Sequence, residues 1–331
     1  MVFFFLKKVI FLALLLMGAG ISISSDSWFS AWFGLELNLM SFIPFIILKG
    51  DVYSSEASLK YFFVQALGSA IVVIGSFQVV LIPSFAVIMV VALLFKMGAA
   101  PLHFWLPQVM NGLNWVGCFV LMSAQKVAPM VLLSYIVSAA GVYDIIFWSS
   151  IMCALVGSLG GLNQVFLRKI MGFSSINHMS WLLIGMLLGE SYWGVYFVFY
   201  VLVSASVLVI FYSQQVFHIT QLSGSGWSAY TLVSYMSLLS LGGLPPFTGF
   251  VPKWLMIQGM VESGMILPLL ALLVGTLISL YYYLRLTLLG LSMSSVKMKF
   301  IKVSLFGFLN MPLFMLFNFS GLFLPSLWML V

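Results

Sequence analysis

Glu36, Lys96, Lys126 and Lys253 stand inside long apolar stretches of a chain that is 63% hydrophobic and only 6% charged. A charge near the centre of a bilayer costs at least a few kcal/mol, so such residues face a partner, a cavity or an ion path. Three amines and one carboxylate at similar depth form a set able to pass protons. At an effective dielectric near 20, a charge pair about 4 Å apart interacts by about 4 kcal/mol. Moving a carboxylate toward or away from a buried amine is then enough to load or unload a proton near neutral pH. Simple interhelical ion pairing accounts for one lysine and leaves the other two without an acid at that depth. His178 joins the set as a fifth, weaker member.

The elements that position these residues follow from composition. With 331 residues, 13 basic and 7 acidic side chains and a mean hydropathy of +1.20, long runs are almost free of charge and read as transmembrane helices. The fold class is all-α, a polytopic bundle of about eleven transmembrane helices, each needing about 20 residues to cross. Their expected spans are 3–23, 27–48, 57–82, 84–106, 113–137, 143–163, 168–189, 192–214, 227–260, 264–288 and 303–327. The whole of 1–331 reads as a single integral membrane domain. The first apolar run is too long for a signal peptide and lacks a small-residue cleavage site, so it counts as a helix. The ninth span is too long for one straight crossing and contains Pro245 and Pro246; the fourth contains Pro101 and, just beyond it, Pro107. Proline removes a backbone donor and clashes with the preceding turn, so both helices are expected to break. Broken backbone at membrane depth survives only where protein or a wet cavity receives the freed groups. Each break lies close to one of the lysines.

The loops orient the chain. Lys7, Lys8, Lys49, Lys60, Arg168, Lys169, Lys297, Lys299 and Lys302 all fall on one side of this helix count, while Asp26, Asp144, Glu190 and Glu262 fall on the other. The positive-inside rule puts the N-terminus in the matrix or cytoplasm and the C-terminus outside. At 1.5 Å per residue, Glu36 lies roughly 14 Å into its helix, Lys96 roughly 18 Å, Lys126 roughly 20 Å and His178 roughly 15 Å. All are near the midplane of a layer about 30 Å thick, and Lys253 follows the second break. Arg285 sits near a helix end and reads as structural.

Several functions are excluded. A net charge of +6 could attract nucleic acid, but the basic residues cluster at helix ends and not on one face. Cys118 and Cys153 form no CxxC and read as packing residues; an iron–sulfur cluster usually needs four thiolates. Gly224-Ser225-Gly226-Trp227-Ser228-Ala229 fits a dinucleotide fingerprint on paper, yet it follows no strand. No zinc spacing or nucleophile triad is present.

Segments carrying the buried charges resemble a known family. Phe33-Gly34-Leu35-Glu36-Leu37-Asn38, Lys96-Met97-Gly98-Ala99-Ala100-Pro101-Leu102-His103-Phe104-Trp105-Leu106-Pro107 and Gln125-Lys126-Val127-Ala128-Pro129 are similar to the chain 2 family of NADH–ubiquinone oxidoreductase, respiratory complex I. So are Gly161-Leu162-Asn163-Gln164, Leu167-Arg168-Lys169-Ile170, Ser174-Ser175-Ile176-Asn177-His178-Met179, Leu241-Gly242-Gly243-Leu244-Pro245-Pro246-Phe247-Thr248-Gly249-Phe250 and Pro252-Lys253-Trp254. These motifs run in family order over about Trp32–Arg285. The resemblance implies an antiporter-like membrane-arm subunit with inverted repeats and two broken helices, lacking the first three helices of bacterial relatives. Its core would cover about 27–290, followed by the C-terminal helix at about 303–327.

It also implies that Glu36 is the carboxylate of a pumping site and Lys96 its partner on the first broken helix. Lys126 would be the central relay, Lys253 the lysine at the second break, and His178 a histidine on the hydrated path. His103 sits beside the first break, where a structural role is expected. Gln108 stands where some relatives carry an acid, which removes a charge there. The implied activity is proton translocation as part of a NADH:ubiquinone reductase. No cofactor is expected in this chain, because NADH, FMN, the iron–sulfur clusters and ubiquinone belong to other subunits. The implied partners are other membrane-arm subunits, including antiporter-like chains, and membrane lipids, with no nucleic acid. The implied location is the mitochondrial inner membrane, with the N-terminus in the matrix and the C-terminus in the intermembrane space. A stand-alone cation/proton antiporter and a structural spacer remain as alternatives.

Overall fold

The structure is a computed structural model that describes residues 2–47, 51–81, 86–139, 141–223, 229–292 and Asn318. Among the described residues the chain is helical, in the order α1 (Val2–Ile23), α2 (Trp28–Ile47), α3 (Val52–Leu81), α4 (Ala86–Met97), α5 (Trp105–Gly112), α6 (Trp115–Met122) and α7 (Ala124–Ser134). There follow α8 (Val142–Gly161), α9 (Leu167–Leu188), α10 (Glu190–Gln214), α11 (Ile219–Ser223), α12 (Ala229–Gly242), α13 (Phe250–Glu262) and α14 (Ile266–Ser292). Among the described residues eight spans are long and apolar enough to cross a membrane, α6 and α7 together forming one of them. Two shorter apolar helices, α4 and the Leu232–Gly242 part of α12, belong to broken spans. These correspond to the first ten expected spans. The eleventh, 303–327, lies outside the described residues except for Asn318.

The chain divides into two compact units, 1–149 and 150–331. In the first, α2 packs on α1 and α3, α3 on α4 and α5, and α7 against α1, α2 and α4. In the second, α9 packs against α10, α13 and α14, α10 against α12 and α13, and α14 against α11, α12 and α13. Large apolar side chains face outward, as on α14, where Leu267, Leu270, Val274, Leu277 and Tyr281 are exposed. Their spacing of three, four, three and four residues is one helical face turned to lipid or another chain. Most of helix α9 is buried, from Leu167 to Met186, which makes it the core of the second unit. Hydroxyls inside the helices bond back along their own turn, Ser174 to Met171 O at 2.7 Å and Ser240 to Ser237 O at 2.7 Å. That ties each of these polar groups to its own helix.

The two proline-marked breaks form by the same local rule. Helix α4 ends at Gly98, whose φ is +73°; Gly98 N–H donates to Phe95 O and Ala99 N–H to Leu94 O. Helix α12 ends at Gly243, φ +80°, with Gly243 N–H donating to Ser240 O and Leu244 N–H to Leu239 O. Both are Schellman closures, which need a residue at positive φ and favour glycine. Glycine stops each helix and the prolines that follow, Pro101 and Pro245, keep it from resuming at once.

The fifth expected span, 113–137, contains an interruption that its apolar sequence does not announce. It divides into α6 and α7 at Ser123, whose φ and ψ are −109° and −83°. The Ser123 hydroxyl donates to Phe119 O, four residues back, at 2.6 Å, a bond that bends helices. Pro129 adds a second disturbance, since it supplies no N–H for the carbonyl four residues earlier. Lys126 sits between the two.

Alanine at Gly98 would place a Cβ 2.7 Å from Leu106 Cδ1 in a left-handed conformation, where an L-residue costs about 1–2 kcal/mol before any clash. Gly98→Ala is expected to lower the thermal unfolding midpoint clearly. Gly20→Ala, where a Cβ meets nothing within 4 Å, is expected to leave it unchanged.

Candidate functional site

In the first unit the buried polar residues come from α2, α3, α4 and α7. Lys96 is 6% exposed and Lys126 2%. Glu36 on α2 is half-buried and interacts electrostatically with both Lys96 and Tyr61. Around them runs a chain of neutral polar groups. The Tyr61 hydroxyl donates to Gln125 Oε1 at 3.1 Å, and Gln125 Nε2 donates to Asn38 Oδ1 at 2.9 Å. Gln125 immediately precedes Lys126, so these bonds fix the start of α7 against α2 and α3. On α3, Tyr61, Gln65 and Ser69 recur every fourth residue and share one face. Gln65 Nε2 reaches the backbone carbonyl of Lys96 at 3.1 Å. Gly68, on the next turn, leaves room for the lysine stem: a Cβ there would lie 2.9 Å from Lys96 Cγ.

The first break is fastened from both ends. Trp105 Nε1, opening α5, donates back to Phe95 O in α4 at 3.1 Å. His103 Nδ1 bonds to Pro101 O at 3.1 Å, and since a carbonyl only accepts, that nitrogen carries the proton. His103 thus holds the backbone of the break, the role its position implied. Gln108 lies on the exposed side of α5.

The second unit holds His178 and Lys253. Lys253 is 6% exposed, and its Nζ donates to Gly242 O at 2.8 Å and Leu241 O at 3.3 Å. These carbonyls end α12, where the helix dipole favours a cation. A Cβ on Gly243 would fall 2.8 Å from Lys253 Nζ, so this glycine both turns the chain and makes space for the amine. His178, on the core helix α9, bonds through Nδ1 to the Tyr196 hydroxyl at 2.9 Å, and its ring lies 5.0 Å from that of Tyr200. A cleft of about 10 Å³, the size of a single water, is lined by His178, Tyr196, Tyr200, Leu241 and Pro252 among others. Its lining thus includes both the histidine and Leu241, the residue whose carbonyl accepts from Lys253. At the same break Thr248 N–H donates to Asn318 O, which brings one residue of the expected eleventh helix to this site. Arg285 donates to Leu162 O at 2.6 Å and Gln164 O at 3.2 Å, pinning the turn between α8 and α9.

Glu36, Lys96, Lys126, His178 and Lys253 are each buried or half-buried on a helix, the first three in the first unit and the last two in the second. The sequence reading followed charge and missed Tyr61, Gln65, Gln125, Tyr196 and Tyr200. The four-residue recurrence on α3 was the available signal. Among the described residues no group of three or more His, Cys, Asp or Glu is placed to hold a metal.

The described residues form an all-α polytopic membrane protein with two proline-broken helices, each closed beside a buried lysine. The chain belongs to the NADH:quinone oxidoreductase/Mrp antiporter transmembrane family, whose model matches residues 25–86 and 77–279. It is 43% identical over 297 residues to NADH-ubiquinone oxidoreductase chain 2 of Anopheles gambiae, covering 85% of this chain and 86% of that one. To the chain 2 protein of Locusta migratoria it is 34% identical, over 98% of this chain and 97% of that one. The resemblance read from the motifs is therefore borne out. A chain of respiratory complex I from Thermus thermophilus, solved with bound aureothin, superposes with a TM-score of 0.85 at 22% identity, covering 97% of this chain and 79% of that one. That match establishes the shared fold.

Leucine at Gln125 removes both side-chain bonds and leaves Tyr61 and Asn38 facing an apolar group, at about 1–3 kcal/mol for each group left unsatisfied. Gln125→Leu is expected to be more destabilising than Tyr61→Phe. The double variant should show a coupling of about 1 kcal/mol in a thermal-denaturation cycle.

Proposed function

We propose that this chain is a proton-translocating membrane-arm subunit of respiratory complex I in the mitochondrial inner membrane. It couples electron transfer from NADH to ubiquinone, carried out in other subunits, to proton movement. The observation that carries this reading is the burial of Lys96, Lys126 and Lys253 within spans of a chain whose relatives are named NADH-ubiquinone oxidoreductase chain 2. Glu36, Lys96, Lys126 and Lys253 act as proton-exchanging groups, with His178 between the cleft and the second break. Protons enter from the matrix side and load Lys96 and Lys126, and release follows near Lys253. Movement of Glu36 relative to Lys96 alters the hold of Lys96 on its proton, which the electrostatic contact between them supports. Carrying one charge against 100 mV takes about 2.3 kcal/mol, and that energy arrives from the redox subunits. The N-terminus lies in the matrix and the C-terminus in the intermembrane space, a placement that the charge asymmetry of the loops supports. Its partners are the neighbouring membrane-arm subunits and lipid.

Lys126→Ala and Lys253→Ala separate this reading from its rivals. Each variant is expected to assemble into the complex and to lose tenfold or more of proton-coupled NADH oxidation in sealed vesicles. Lys253→Gln keeps two amide hydrogens for the carbonyls of Leu241 and Gly242 while removing the charge, and the same loss is expected. A spacer would assemble and pump at full rate with all three substitutions. A stand-alone antiporter would exchange cations for protons when the chain alone is placed in liposomes; a subunit of this complex should not.

A further inference from the structure

A crevice of about 260 Å³ lies in the second unit between α10 and α13, close to the lower end of the range of about 300–1,000 Å³ in which small-molecule sites fall. Its lining changes character with depth. Ser191, Gln258 and Glu262 are exposed and form the mouth, Ser191 being the second residue of α10 and Glu262 the last of α13. Tyr192 belongs to the upper wall, seated against Gly259, where a Cβ would lie 3.0 Å from its Cε1. Val195 and Leu255 follow, half-buried, and Tyr196 and Pro252 are buried at the floor. On α13 the steps of three and four residues keep the set on one face. Ten residues separate Glu262 from Pro252, a descent of about 15 Å at about 1.5 Å each. That is half of a hydrocarbon layer about 30 Å thick.

The lower part favours hydrocarbon. Val195, Leu255 and Pro252 bring no side-chain donor or acceptor, and the Tyr196 hydroxyl is already bonded to His178 Nδ1 at 2.9 Å. A water there would lack the two to four polar partners that hold internal water in place. The mouth has the opposite need. Asp26, Asp144, Glu190 and Glu262 fall on this side of the helix count, and no loop lysine or arginine does. Lys253, nine residues before Glu262, is engaged by the carbonyls of Leu241 and Gly242. The Glu262 carboxylate is therefore matched by a cation from outside the chain, while the Gln258 amide and the Ser191 hydroxyl beside it have hydrogens to donate. An apolar slot below a carboxylate and two neutral donors selects a ligand with a hydrocarbon tail, an ammonium and an anionic group close together.

We propose that this crevice is a binding site for a phospholipid with a primary-amine headgroup, phosphatidylethanolamine. Its ammonium donates to the Glu262 carboxylate, its phosphate accepts from Gln258 Nε2 and the Ser191 hydroxyl, and one acyl chain runs past Val195 and Leu255 to the floor. The headgroup choice follows from the donors. A primary ammonium carries three hydrogens for the carboxylate, and a quaternary ammonium carries none. A lipid whose headgroup is only anionic brings like charge to Glu262 and leaves the carboxylate unmatched. The site goes beyond the proton-transfer reading and does not depend on it, because no proton changes place.

The test uses the purified assembly that contains this chain, stripped of lipid and returned to phosphatidylcholine vesicles. Two photoreactive probes are compared, each with a diazirine midway along one acyl chain, one a phosphatidylethanolamine and the other a phosphatidylcholine. After illumination, peptides are mapped by mass spectrometry, with label on the rest of the assembly as the internal standard. The ethanolamine probe is expected to label the peptides carrying Val195 and Leu255 at least fivefold more than the choline probe. Unlabelled phosphatidylethanolamine is expected to compete and cardiolipin to fail. Glu262→Gln, a change at an exposed helix end, is expected to abolish the preference while the internal standard stays constant. Equal labelling by the two probes would mean that any acyl chain fills the slot, and would overturn the proposal. So would competition by cardiolipin, or a preference that survives Glu262→Gln. Absence of label from both crevice peptides, with the internal standard intact, would mean that a neighbouring protein covers this face, and the lipid assignment would fall.

Discussion

A backbone carbonyl opened inside hydrocarbon must be given a donor by the protein, and this constraint shapes both halves of the chain. Stopping α4 and α12 at membrane depth exposes their carbonyl ends. The chain closes the two ends in the same way, with a positive-φ glycine and paired Schellman bonds at Gly98 and Gly243. What remains after those bonds is treated differently. At the first break neutral side chains finish the work, Gln65 on the Lys96 carbonyl and Trp105 on that of Phe95. At the second, Lys253 does so with its own amine.

That difference explains much of the packing around each break. Because Gln65 and Trp105 serve the end of α4, Lys96 is not needed for backbone and its charge is left to interact with Glu36. Tyr61 then ties the same neighbourhood to Gln125 and Asn38. The helices that carry Glu36, Lys96 and Lys126 are joined by neutral hydrogen bonds. A net hydrogen bond contributes about 1 kcal/mol, whereas a charge committed to a structural ion pair would be costly to move.

The sequence made the fold legible because the signals were strong and local. Apolar runs gave the spans, prolines gave the breaks near Lys96 and Lys253, and the rarity of charge drew attention to each ionisable residue. Ser123 was illegible because serine is common within membrane helices and its back-bond to Phe119 depends on a rotamer that no spacing reveals. The neutral partners were hidden for a related reason. Gln65, Gln125 and Tyr196 are each unremarkable along the chain and acquire meaning only when another helix arrives, α4 for Gln65, α2 for Gln125 and α9 for Tyr196. Asn318 is the extreme case, a residue of the last expected helix meeting Thr248 some seventy positions earlier, a separation of about 70 residues that no local period spans.

The two ways of capping a break also bear on what each lysine is able to do. An ammonium has three hydrogens to donate, and Lys253 uses them on two carbonyls, those of Leu241 and Gly242. A neutral amine retains two hydrogens and gains a lone pair. Lys253 is therefore able to give up its proton and still leave neither carbonyl bare, so discharge need not open the end of α12. Two of the three hydrogens are held by backbone, and loss of the third would leave both of those bonds in place. The cleft lined by His178 is also lined by Leu241, whose carbonyl accepts from Lys253. At the second break, then, capping and proton exchange are compatible in a single side chain. At the first they are divided between neutral residues and Lys96. Both arrangements meet the demand that hydrocarbon makes on a broken helix.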